Sequence, residues 1–536
     1  MQFLLCCLLF LFASCHKQPA PSPKTLRVNV ETEPVTLDPR RARDLNAITM
    51  CRALFEGLAR ISRDGENELA IASKMDVSDN QHRYVFHLRE AYWSNGDPVT
   101  SYDFARSWKM ILSPQFPTDI AYQLYLIKNG RQVKAGELGL EHLGISTPDP
   151  KTLIVELEQP TPYFLDVCAM PSYFPVPQIA EMLPEWALHE TTFVGNGPFL
   201  LKSWNHTDEI RVNKNPRYWE EKRVSLEEIE FIMVSSDTEL RMFEEGKLDW
   251  AGSPLSTLPV DAVKHLKENK SLKISPFSAT YFYRVNTGEM LGGKKNPLSN
   301  CSFRKALAKA IDREAITKHV LQGGQKPARS LVPPELGLFG SGYFSDQNQE
   351  EARALLAKAL EELHMKQLEP IVISFSSSER NKALSQAIQK QWEQVLGIAV
   401  ELKAVEAKAF FQEIKDRAFQ LAAGSWVADF NDPVNFLEVF KFKEKSTNNT
   451  NWEDPRYIDL LDRSAVCKDS SERKQLLREA EEILMEQMPI LPIFHFALNY
   501  LQQEGVEDVI LSPIGQIDFR WAHKDAADPS RAGKVN

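Results

Sequence analysis

The chain has 536 residues, 43% of them hydrophobic and 25% charged, with a formal net charge of -10. That length exceeds a single small core and calls for two or three domains or one large two-lobed body. Lys and Arg are interspersed with acids and form no basic stripe, which argues against nucleic acid as a partner.

The first fifteen residues, "MQFLLCCLLFLFASC", hold an apolar run from Phe3 to Phe12, then the small residues Ala13 and Ser14, then Cys15. The run is too short for a mature membrane anchor and reads as a signal peptide. It resembles a bacterial lipoprotein signal, in which the cysteine after two small residues is lipidated. That resemblance implies removal of residues 1–14, Cys15 as the lipidated residue and residues 15–25 as a lipid-anchored linker. Phe12 stands where such signals usually carry Leu, and no Lys or Arg precedes the run. "HKQPAPSPK", next in the chain, is Pro-rich and polar, an extended tether. No later segment stays apolar for about eighteen residues.

"KTLRVNVETEPVTLDP" opens with Leu26, Val28 and Val30 in alternation, a strand stopped by Pro34 and Pro39. "HRYVFHLREAYWSNGDPVT" puts Tyr84, Phe86 and Leu88 on one strand face and turns at Asn95–Pro98. Asp103 suits the N-terminal dipole of the helix "SYDFARSWKMIL". "GNGPF" (195–199) is a turn entering a strand. "SFRKALAKAIDREAITKHVL" (302–321) predicts one helix with Phe303, Leu307, Ala310 and Ile311 inward, and "SERKQLLREAEEILMEQM" predicts another. The strongest architectural signal is "EPIVISFS", "RNKALSQAIQKQWEQVLG", "IAVELKAV", "AKAFFQEIKDR" and "AFQLAAGSW". This alternation predicts βαβαβ with parallel strands, and the helix carries Leu384, Ile388, Trp392, Val395 and Leu396 on one face. Ligands collect at the carboxyl ends of such strands, so the following loop, Trp426 to Asp432, is expected to face a cleft.

Catalytic signatures are sparse. HExxH, GxxxxGK[ST], GxSxG and GxGxxG are absent. His82 and His87 fall on opposite strand faces and make no metal pair. Cys51, Cys168, Cys301 and Cys467 are widely spaced and make a poor metal site; their disulfide pairing stays open. No cofactor is indicated. One acid has an unusual setting: in "GSWVADFND" (424–432), Asp429 lies among Trp426, Val427, Ala428 and Phe430. It either caps the turn before Asp432 and Pro433 or is kept for a cationic ligand group. A glycosidase needs a second carboxylate, for which Asp432 qualifies by proximity only.

Seven stretches then line up in order with one family. They are "EPVTLDP" (33–39), "ALFEGLARI" (53–61), "YVFHLREAYWSNGDPVTSYDFARSW" (84–108), "GNGPFLLKSW" (195–204), "NPRYWEEKRVSLEEIEF" (215–231), "FRKALAKAIDREAI" (303–316) and "WVADFNDPVNFL" (426–437). The chain resembles the oligopeptide-binding proteins of peptide ABC importers, bacterial extracellular solute-binding proteins of family 5. The resemblance implies an α/β fold of the large, three-domain periplasmic-binding-protein type, with two lobes and a two-strand hinge. Lobe 1 is expected at 26–62 and 185–285, completed by 498–536; an extra domain at 63–184; and lobe 2 at 286–497.

It also implies a monomeric, non-enzymatic receptor in the periplasm, lipid-anchored to a membrane, that hands oligopeptides to the permease subunits of an ABC transporter. Asp429 matches the family acid that accepts the peptide's α-ammonium, with Trp426 walling the pocket. The backbone of Ser425 and Val427, together with Arg43 and Leu45 in "RARDLNA" (41–47), matches positions that pair with the peptide main chain. Ala423 departs from the family, where an Arg helps take the ligand's carboxylate; Lys415, Arg417, Arg43 and Arg284 are possible substitutes. The alternatives are another small ligand on the same fold (a murein peptide, glutathione, a metal chelate or haem) and, remotely, a secreted hydrolase using Asp429 and Asp432.

Overall fold

The computed structural model describes residues 24–63, 66–338, 342–444 and 446–525. The signal segment 1–14 and Cys15 lie outside the described residues. Strand β1 (Thr25–Asn29) and helix α1 (Leu45–Leu54) come first, and α2 (Ser101–Leu112) follows. Asp103 of α2 accepts the Thr100 N–H at 2.7 Å, which fixes that helix start. Strands β2 (Phe199–Asn205), β3 (Glu209–Lys214), β4 (Glu228–Ile232) and β5 (Trp250–Gly252) complete the first half of the main sheet. A separate antiparallel sheet orders Ala72–Val77, Arg83–Leu88, Thr152–Glu156 and Ile145–Asp149, with Tyr84, Phe86 and Leu88 buried as the alternation predicts.

Two strands of 13 residues each carry the chain between the halves: β6 (Lys273–Val285) and, much later, β10 (Ile490–Gln502). Between them lie α3 (Cys301–Lys309), β7 (Ile371–Ser376), α4 (Glu379–Leu396), β8 (Val400–Val405), α5 (Ala407–Lys415), β9 (Leu421–Val427) and α6 (Ser470–Gln487). The main sheet has eleven strands, ordered β8–β7–β9–β6–β10–β5–β1–β4–β3–β2, with Lys326–Pro327 added against β10. The pairs β7–β8 and β7–β9 are parallel, as predicted for the βαβαβ unit.

At one end β6 and β10 pair from Lys273↔Tyr500 to Pro276↔Ala497; the register then breaks and resumes at Thr280↔His495. Pro276, which has no N–H to give to a ladder, sits at the break. Beyond it β6 also pairs with β9, while at the other end β10 pairs with β5. The two halves of the sheet therefore share only β6 and β10, the two-strand hinge of a two-lobed α/β protein.

Each lobe has its own core. The first-lobe cluster joins Leu26, Val28, Phe55, Trp108 and Phe231. In the second lobe the alternation of β6 sends Tyr281, Tyr283 and Val285 to helices α3, α4 and α5, and Phe282 to the face covered by α6. The helix expected over 302–321 is interrupted. Helix α3 stops at Lys309, a short turn covers Arg313–Ala315, and a π-helical turn follows from Ile316 to Leu321. The cause is Asp312, whose carboxylate caps Ala315 N–H at 2.8 Å while its own N–H is held by Gln391 Oε1 at 2.9 Å. Among the described residues the four cysteines, Cys51, Cys168, Cys301 and Cys467, carry free thiols.

Trp392 of α4 is completely buried and donates its Nε1–H to Leu307 O at 2.9 Å. Trp392→Ala is expected to destabilise the second lobe by about 3–5 kcal/mol, read as a lowered midpoint in denaturant unfolding. A loss below about 1 kcal/mol would show that α4 is not central to this core.

Candidate functional site

Strand β9 is bonded unequally on its two sides. All seven of its residues are in register with β6, from Leu421↔Val285 to Val427↔Ala279. On the other side β7 meets it only at Leu421 and Ala422. Ala428 N–H bonds Ser278 O and Asn286 N–H bonds Gln420 O, both at 2.9 Å, and these bonds phase the antiparallel ladder. By the alternation of such ladders, Ala422, Gly424 and Trp426 bond to β6, whereas Ser425 and Val427 turn N–H and C=O, and Ala423 its C=O, toward the open edge. Ser425 and Val427 are also exposed at the side chain.

The loop after β9 is held by Asn435, one of four residues in a helical turn, Val434–Leu437. Its Oδ1 accepts Trp426 Nε1–H at 2.8 Å and Asp429 N–H at 3.3 Å. Trp426 is thereby fixed, half-buried, against the α6-side core. The turn-capping role open to Asp429 belongs instead to Asp432, which accepts Val434 N–H at 2.9 Å. Asp432 is buried and its oxygens also meet Arg473 at 2.8 and 2.9 Å, so it does not form a free carboxyl pair with Asp429.

Asp429 has no ion pair among the described residues. Loss of water around it raises its carboxyl above the usual aspartate value, and a hydrogen bond to the Asn435 side chain pulls the other way. The group sits deep between protein masses, yet its own surface is still wetted.

Beside Asp429, Phe430 stacks on Tyr163 with centroids 4.7 Å apart and planes 5° from parallel. Asp429, Phe430, Asn431, Asn67, Asp166 and Gln516 line a small cavity of about 10 Å³, room for about one water molecule. Burial pushes the Asp166 carboxyl up to about 6.

The sequence-predicted residues of the first lobe stand apart from this loop. Arg43 pairs with Asp119 at 2.5 Å, both side chains well exposed, and Leu45 is the exposed first residue of α1, capped by Asp44. Neither has a hydrogen bond or ion pair to residues 425–429 among the described residues. Tyr122, three residues after Asp119, has its hydroxyl raised by burial and then by the nearby charge of Asp429. Tyr122 and Asn435 escaped the sequence reading. No periodicity marks Tyr122, and the asparagine in "NDPVNF" carries no signal until the turn brings it under the tryptophan.

The described residues contain no cluster of three or more His, Cys, Asp or Glu placed to hold a metal, and no helix long and apolar enough to cross a membrane.

The geometry can be set beside known proteins. A relative named oligopeptide-binding protein OppA, from Bacillus subtilis, is 37% identical over 517 residues, covering 95% of this chain and 94% of the relative. Another, the dipeptide-binding protein DppE of Bacillus subtilis, is 34% identical over 522 residues, covering 96% and 94%. Among solved structures, the murein tripeptide-binding protein MppA in its unliganded open form matches with a TM-score of 0.82 at 27% identity. That match covers 94% of this chain and 97% of the other. The pattern of the bacterial extracellular solute-binding proteins, family 5 (middle), matches residues 67–448. The two lobes, the paired hinge strands and this continuous match have one reading: the chain belongs to family 5 of the bacterial extracellular solute-binding proteins.

Proposed function

We propose that this protein captures oligopeptides outside the cytoplasmic membrane and delivers them to the permease subunits of an ABC importer, without catalysing a reaction. One observation carries the reading: a strand edge open from Ala423 to Val427 runs up to an acid, Asp429, that has no cation partner among the described residues. An extended peptide can add to that edge, bonding through its main chain and so tolerating varied side chains, while its α-ammonium meets Asp429. Trp426 and Phe430 give the amino-terminal residue apolar walls, and lobe closure about β6 and β10 encloses it. The Bacillus subtilis relatives named for oligopeptides and dipeptides support this ligand class.

Several finer points belong to the same proposal. Cys15 is lipidated, so a monomeric receptor is tethered at the membrane of the exported compartment. Lobe 1 comprises 26–62, 185–285 and 498–536, the extra domain 63–184 and lobe 2 residues 286–497. Arg43 and Leu45 contribute to the peptide cleft from the first lobe.

Asp429→Ala is expected to weaken peptide binding by more than about 1.4 kcal/mol, roughly tenfold, in calorimetry. N-acetylated peptides should show a similar loss on the wild type. Equal affinities for mutant and wild type would remove Asp429 as the amino-terminal anchor, and indifference to acetylation would favour a non-peptide ligand.

Binding also has a direction with pH. The ammonium prefers ionised Asp429, whose carboxyl is raised by desolvation, so affinity should fall as pH drops from about 7 to about 4. Asp429→Asn should give a flat profile over the same range, and a slope unchanged by that substitution would place the titrating group elsewhere.

A further inference from the structure

If the ligand is a peptide, a second charge must be met at its other end, and the family's usual arginine is missing at Ala423. Three of the four substitute cations are poorly placed. Arg417 is tied to Asn451 Oδ1 at 2.8 Å and to the Asn448 and Lys443 carbonyls. Arg43 is paired with Asp119. Lys415 is the exposed last residue of α5 and has no hydrogen bond or ion pair to β9 among the described residues.

Arg284 is different. It lies on β6 opposite Ala422, and its side chain leans along β9 instead of standing clear of it. The guanidinium carbon is 5.2 Å from the Phe282 ring centroid, and Nη1 reaches Ala423 O at 3.4 Å. That carbonyl is one of those turned away from β6, toward the open edge.

To reach it, the side chain crosses over β9 at Gly424. A Cβ there would lie 1.6 Å from Arg284 Nη1 and 2.7 Å from Cζ, so any larger residue would block the crossing. No acid among the described residues pairs with Arg284, and its Nε is closed from water without a hydrogen-bond partner. A half-buried, unpaired guanidinium is costly unless something completes it.

We propose that Arg284 takes the carboxylate of the bound peptide, reaching the open edge of β9 across Gly424. The site then has opposite charges at the two ends of one strand edge. From Val427 to Ala423 is four strand steps, about 13 Å, and Asp429 lies two residues beyond Val427, so a peptide held by both termini needs at least roughly four extended residues. A planar guanidinium also offers two parallel N–H groups to a carboxylate, which a lysine cannot.

The inference rests on the peptide reading, and the test separates the two. Calorimetry on the full chain would use randomised pools of tri- to pentapeptides as free acids, as C-terminal amides and as N-acetylated acids. On the wild type, amides should bind at least about tenfold more weakly than free acids. Arg284→Gln should bring the acid and amide affinities together while keeping the loss on N-acetylation. Gly424→Ala should do the same without removing any charge, by displacing the guanidinium.

Equal affinity of wild type for acids and amides overturns the role of Arg284, and this arm depends on no variant folding. Discrimination that survives Arg284→Gln does so as well. If acetylation matters and amidation does not, the peptide reading stands and this inference alone fails. If no pool binds, both fall together.

Discussion

Backbone N–H and C=O groups withdrawn from water need partners, and in β9 the residues Ser425 and Val427 have theirs directed where no strand lies. Strand β7 diverges from β9 after Ala422, although both belong to the same parallel unit. An open edge inside a cleft is a template for one more strand, whereas on an outer surface it is a liability for aggregation. The position of everything else in the site follows from that edge. Asp429 stands beyond its carboxyl end, Arg284 reaches its amino end, and Trp426 is pinned beside it by Asn435.

The charges at the two ends are physically related. Asp429 and Arg284 each lose water to the protein, and neither finds an opposite charge among the described residues. Arg284 reaches Ala423 and Asp429 lies six residues further along the chain, and the two do not pair with each other. On the proposed reading, a zwitterionic chain of the right length would satisfy both at once and would also supply the missing backbone partners. Charge complementarity of this kind favours the correct ligand and disfavours chains with blocked ends.

The hinge and the site are joined through Ser278. Its C=O accepts Ala428 N–H at 2.9 Å, and its N–H donates to Pro513 O at 2.6 Å, in the segment that follows β10. It sits inside the register break between Pro276 and Thr280, where the two halves of the sheet separate. Rotation of one lobe about that break therefore moves the loop carrying Asp429 relative to Tyr122 and Tyr163.

Local pattern was enough for much of this protein. Period-2 and period-3.6 spacing determined the βαβαβ unit, its parallel strands and the buried face of α4, because these depend on neighbours within one turn or one strand. The motif "GSWVADFND" marked Asp429 because an acid among apolar residues is a local anomaly. The rest needed contacts distant in sequence. The break after α3 comes from Asp312 binding Gln391, 79 residues away. Asp432 became a structural cap through Arg473, a helix later. The crossing of Arg284 over Gly424 joins residues 139 or more apart in a way no spacing rule encodes. Sequence determined which segments form strands and helices and which acid is out of place; tertiary structure decided which strand edge stays open and which cation reaches it, because both depend on how separate segments pair.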